Sequence, residues 1–129
     1  MYKVIALVRR TSGVSAEEFA DYWKHVHAPL VRSTLPGLRK YVLNVAQPGR
    51  GGEPPAYDGM VELHFDDHES AERALSSPEW LGDTRRASTD AFLDLDSIVS
   101  IRAEEYVVPL SSAGCDGARL ESIAADGGG

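Results

Sequence analysis

A single cysteine, Cys115, stands among the 129 residues. No disulfide can form within the chain, and a reducing cytoplasm is the expected compartment. No apolar run approaches the roughly 20 residues that a membrane-spanning helix needs. The opening residues, Met1-Tyr2-Lys3-Val4, enter a strand-like pattern directly, without the layout of a secretory signal. Basic charge is also short. The 13 Lys and Arg against 20 Asp and Glu leave a formal charge of −7, which argues against a nucleic-acid or anionic-membrane partner, since either calls for a basic face. The chain has no Gly-x-Gly-x-x-Gly after its first strand, no phosphate loop and no nucleophile motif, so neither a nucleotide cofactor nor a hydrolase triad is expected. A metal is not expected either. His25 and His27 are two steps apart on a helix, about 200° around it, and cannot chelate together.

What remains is an ordered series of elements. Residues 2–9 are rich in Val, Ile and Leu and fit a buried strand. Ser15-Ala16-Glu17-Glu18 has the form of a capping box and opens a helix that runs from about Ala16 to Ala28. Pro29 either kinks this helix or starts a short second one through Thr34, and Pro36-Gly37 closes the unit. Residues 38–46 form a second strand. The Gly- and Pro-rich residues 47–57 form a loop long enough to be functional. Residues 59–65 alternate, with Val61, Leu63 and Phe65 on the side facing the helices and Met60, Glu62 and His64 on the other. Helices follow over residues 68–76 and from Pro78 to about Phe92, then a fourth strand over 97–108.

The order β-α-β-β-α-β predicts an α+β, ferredoxin-like domain over residues 1–110, with a four-stranded antiparallel sheet and helices on one face. Residues 111–129, poor in large apolar side chains, read as a flexible tail. The other sheet face is half apolar and bare, which favours a homodimer with two sheets face to face.

The most informative stretch is residues 19–30. Phe19, Trp23, Val26 and Leu30 recur at helical spacing, and His27 falls one turn after Trp23 on the same side. An imidazole is thus aimed at the core beside an indole, where Pro29 disturbs the helix. Phe19-x-x-Tyr22-Trp23-x-x-x-His27-Ala28-Pro29-Leu30, then Leu35-Pro36-Gly37-Leu38-x-x-Tyr41, then Tyr57-Asp58-Gly59-x-x-Glu62-Leu63-x-Phe65 together resemble the EthD family of the dimeric α+β barrel superfamily. The resemblance implies a cleft between helices and sheet, with His27 at its wall and Tyr22, Trp23 and Tyr41 nearby. Relatives in the superfamily include muconolactone-type isomerases, polyketide cyclases or dehydratases, cofactor-free monooxygenases and haem-handling proteins. Some isomerase-type relatives carry a thiol on the third strand, whereas this chain has Leu63 and, beside it, His64.

The expected function is that of a small, cofactor-independent enzyme. It would act on a cyclic or aromatic carbonyl-bearing metabolite by proton transfer, as an isomerase, dehydratase or cyclase. His27 would be the general acid or base and Tyr41 the donor to a developing oxyanion. Phe19, Tyr22, Trp23, Leu63, His64 and Phe92 are the expected substrate contacts. Glu62 and His64, two apart on one strand face, would form a proton relay at the dimer seam, an interfacial salt link or a solvated face. The rival functions are a cofactor-free monooxygenase of a phenol and a non-catalytic dimer that carries a small hydrophobic ligand.

Overall fold

The computed structural model of the chain describes residues 1–111. Four strands, β1 (Tyr2–Val8), β2 (Lys40–Val45), β3 (Gly59–Phe65) and β4 (Val99–Glu104), form one sheet in the order β2-β3-β1-β4. Every neighbouring pair is antiparallel. This is the predicted ferredoxin-like α+β arrangement. The tail over 112–129, with Cys115, lies outside the described residues.

The register sorts the side chains onto two faces. Val4 pairs with Leu63 and Val8 with Gly59, and Tyr41 pairs with Leu63. These residues face the helices, as the alternation in β3 predicts. Lys3, Ile5 and Leu7 pair with His64, Glu62 and Met60 on the outer face. Three strands, β1, β2 and β4, are shorter than expected. β4 stops at Glu104, and Tyr106, Val107, Val108 and Leu110 beyond it are exposed.

The first helical region starts as predicted. Glu18 N donates to Ser15 Oγ at 3.1 Å, and Ser15 N donates to Glu18 Oε1 at 3.0 Å. Helix α1 (Ala16–Tyr22) then passes through a π-helical turn, Trp23–His27, into α2 (Ala28–Thr34). The wide turn closes with Ala28 N–H donating to the Trp23 carbonyl. It sits immediately before Pro29, which lacks an N–H and crowds the preceding turn. It also resets the register. The buried residues are Phe19, Trp23, His27, Val31 and Leu35, each four apart. An α-helix drifts by about 40° over four residues, and the wider turn takes that drift back. Val26, expected on the apolar side, is consequently 50% exposed.

The second helical region has three pieces, α3 (His68–Leu75), α4 (Pro78–Leu81) and α5 (Asp83–Phe92). The single helix expected from Pro78 is broken at Gly82, whose extended backbone both ends α4 and starts α5.

The core is divided. One cluster joins Val4, Val31, Leu35, Leu63, Phe65, Ala71 and Ala74. The other joins Val8, Phe19, Trp23, Phe92 and Leu93. Residues of both line the cavity described next.

Candidate active site

A cavity of about 310 Å³ lies between the helices and the sheet. Its floor is apolar, from Val4, Ala6, Val61 and Leu63, and its polar groups are His27, Tyr41, Arg85, Thr89, Ser100 and Arg102. An apolar hollow with few polar groups is the ordinary form of a small-molecule site.

The π-turn delivers His27 to the wall. The imidazole is 6% exposed and packs against Phe92, with ring centroids 4.8 Å apart. Its Nδ1 is 2.9 Å from Ser88 Oγ, and Ser88 Oγ is 3.1 Å from the Tyr22 hydroxyl. Nε2 has no hydrogen-bond partner among the described residues and is the ring nitrogen left for a ligand. Burial, and then the positive charge of Arg85, push the His27 pKa down from 6.5 to about 4. The ring is therefore neutral at pH 7. When Nδ1–H donates to Ser88, Nε2 carries a free lone pair.

Tyr41 comes from β2, on the helix-facing side. Burial drives its phenol up to about 12, against a hydrogen bond from Trp23 that acts in the opposite sense. It keeps its proton at neutral pH and so acts as a donor.

Of the expected substrate contacts, Trp23 and Leu63 line the cavity together with His27 and Tyr41. Phe19 and Phe92 stand behind as fully buried packing, and Tyr22 holds Ser88. His64 lies on the outer sheet face, away from the cavity, because its register partner is Lys3. There it is 2% exposed, with Nδ1 3.4 Å from Glu105 Oε1 and Nε2 3.4 Å from Glu62 Oε1. Nε2 makes no hydrogen bond. The loop over 47–57, expected to be functional, turns back on itself through Gly49 N–H donating to Glu53 O, and contributes no residue to the cavity.

Sequence reasoning did not single out Ser88, Arg85, Thr89 and Trp80. Arg85, Ser88, Thr89 and Phe92 follow the i, i+3, i+4, i+7 pattern of one helix face. That face is turned inward, and its polar residues disguise it as a solvated one.

Taken together, these features define a ferredoxin-like α+β protein with a histidine-walled pocket between helices and sheet. The EthD domain matches residues 11–96, and the chain belongs to the EthD family. It is similar to an EthD family protein from Bacillus halodurans, with 27% identity over 82% of this chain and 99% of that one and a TM-score of 0.66. An EthD-like protein from Ralstonia eutropha shares 20% identity over 86% and 95% of the two chains, with a TM-score of 0.59. A dimeric ferredoxin-like protein from Bacteroides fragilis shares 14% over 81% and 95%, with a TM-score of 0.54. No curated protein gives a significant match. Among the described residues, no helix is long and apolar enough to cross a membrane.

Proposed function

We propose that this protein is a small enzyme that moves a proton on a cyclic or aromatic carbonyl compound, as an isomerase, dehydratase or cyclase, without a cofactor. The observation that carries this reading is the placement of His27. Nδ1 is held by Ser88, Nε2 is unpartnered among the described residues, and His27 lines a largely apolar cavity. The neutral ring takes a proton from carbon next to the carbonyl, the Tyr41 hydroxyl donates to the enolate oxygen that develops, and His27 returns the proton elsewhere. Mass spectrometry of small molecules that co-purify with the protein identifies the substrate. With that substrate, His27→Gln lowers turnover about a hundredfold, a typical contribution of a positioned acid or base, and changes Kd only a few-fold. Undiminished turnover would remove His27 from the chemistry.

The second reading is a cofactor-free monooxygenase, in which His27 takes a phenol's proton and the phenolate reacts with O2. A half-buried guanidinium beside the cavity favours it, because positive charge stabilises a phenolate. Rates that persist under anaerobic conditions support proton transfer, and rates that vanish support oxygenation.

The chain is also proposed to work as a homodimer through the outer sheet face. Ile5, Leu7, Met60, Val99 and Ile101 lie there in adjoining register positions, and Ile101 is 56% exposed in the single chain. Lys3 donates to Glu62 at 3.0 Å beside them. Sedimentation at micromolar concentration is expected to give twice the 14.0 kDa of one chain. Ile101→Asp, which places a carboxylate between the sheets, is expected to yield the monomer.

A further inference from the structure

The proton-transfer mechanism above makes no use of Arg85, the cavity-lining cation without an acidic partner. Its Nε donates to the Trp80 carbonyl at 2.8 Å and its Nη1 to Thr89 Oγ1 at 3.2 Å, and its guanidinium lies 3.9 Å from the Trp80 ring centroid. Among the described residues, no carboxylate comes within ion-pair distance of it. Arg102, which also lines the cavity, differs in being paired with Glu72 and bonded to the Tyr2 hydroxyl. A half-buried guanidinium whose hydrogen-bond partners are all neutral, and whose charged neighbour Arg86 is another cation, has given up hydration without an opposing charge. Stacking on an indole recovers part of that loss. Nη2 makes no hydrogen bond, so the planar fork still has donors for a bidentate acceptor.

We propose that Arg85 binds a carboxylate on the substrate, so that the pocket selects planar organic acids over neutral carbonyl compounds. This proposal rests on the small-molecule pocket described above and narrows its substrate class. The chain as a whole is acidic, at −7, so attraction of an anion must come from this local cation rather than from overall charge. The apolar floor of Val4, Ala6, Val61 and Leu63 suits the flat body of such an acid, while Arg85 holds its charged end.

The test uses the full chain and two probes of nearly equal shape, 2-naphthoate and neutral 2-naphthamide, by titration calorimetry. The intact protein is expected to bind the carboxylate at least tenfold more tightly than the amide. Arg85→Gln is expected to bring the carboxylate down to the affinity of the amide while amide binding stays within about threefold. Arg85→Lys, which keeps charge but loses the fork and the stacking, is expected to fall between. Equal affinity for both probes in the intact protein, or unchanged carboxylate binding in Arg85→Gln, overturns the assignment and leaves the pocket standing. Binding of neither probe overturns the pocket itself, and the assignment with it.

Discussion

Alanine at position 59 is expected to destabilise the protein by about 3 kcal/mol, the upper end of the usual cost of overpacking a core. Gly59 opens β3 on its helix-facing side, directly beneath the indole that forms part of the cavity wall. A Cβ there would lie 2.9 Å from Trp23 Cη2 and 3.1 Å from the Asn44 carbonyl oxygen, and closer still to Trp23 Cζ3. Alanine has an opposing benefit, since a glycine within a strand costs roughly 0.5–1 kcal/mol in lost backbone freedom. The clash outweighs it, because neither neighbour can yield cheaply. The indole is locked against Phe19, with ring centroids 5.3 Å apart, and the carbonyl belongs to the neighbouring strand. Urea denaturation should show the loss directly, and thermal unfolding should show a fall in Tm of about 10 °C for a domain of this size. Trp23→Phe should lessen the cost of Gly59→Ala, so the double variant will be more stable than the two single losses add up to. A Gly59→Ala protein as stable as the parent would mean that Trp23 is loosely held, and the cavity wall with it.

The strands were legible in the sequence because β-alternation has a period of two and β3 shows it plainly. Val61, Leu63 and Phe65 fell on the side that the structure buries. The same alternation put His64 on the outer face, which is why it cannot share a cavity with Leu63. The helices were less transparent. Phe19, Trp23 and His27 were readable, but a spacing of three or four admits both Val26 and Val31, and only the π-turn selects Val31. No sequence period announces such a turn; Pro29 is its one local trace. The site was legible on one side only. His27, Trp23 and Tyr41 stand in an aromatic, family-like pattern. Arg85, Ser88 and Thr89 lie on a helix whose inner face is polar, and amphipathic reasoning assigns such residues to water. An inward polar face is what a pocket requires and what hydrophobic patterning conceals.

Acidification should expose His27 as a buried neutral group. Burial first, and the Arg85 charge second, hold its pKa at about 4, against 6.5 when unfolded. Below pH 6.5 the unfolded chain binds a proton on this ring while the folded chain does not. Stability linked to the group is therefore complete above pH 6.5, declines as pH falls, and is gone once pH drops through 4. At about 1.4 kcal/mol per pH unit, the interval amounts to about 3 kcal/mol, most of it already lost at pH 4.5. Glu18, Glu62 and Asp67 are held below the usual carboxylate range by their hydrogen bonds, and their own contributions are lost further down, as pH falls past the ordinary carboxylate values. The comparison must therefore be with His27→Gln, in which those losses persist and the histidine's does not. Urea denaturation at pH 7 and pH 4.5 is expected to show the parent losing about 2–3 kcal/mol more than the variant. Equal losses would mean that the imidazole is already hydrated in the native state, and a hydrated ring could not serve as a water-excluded base. Because Arg85 is the second cause of the depression, Arg85→Gln should narrow the gap without closing it, and the remainder measures burial alone.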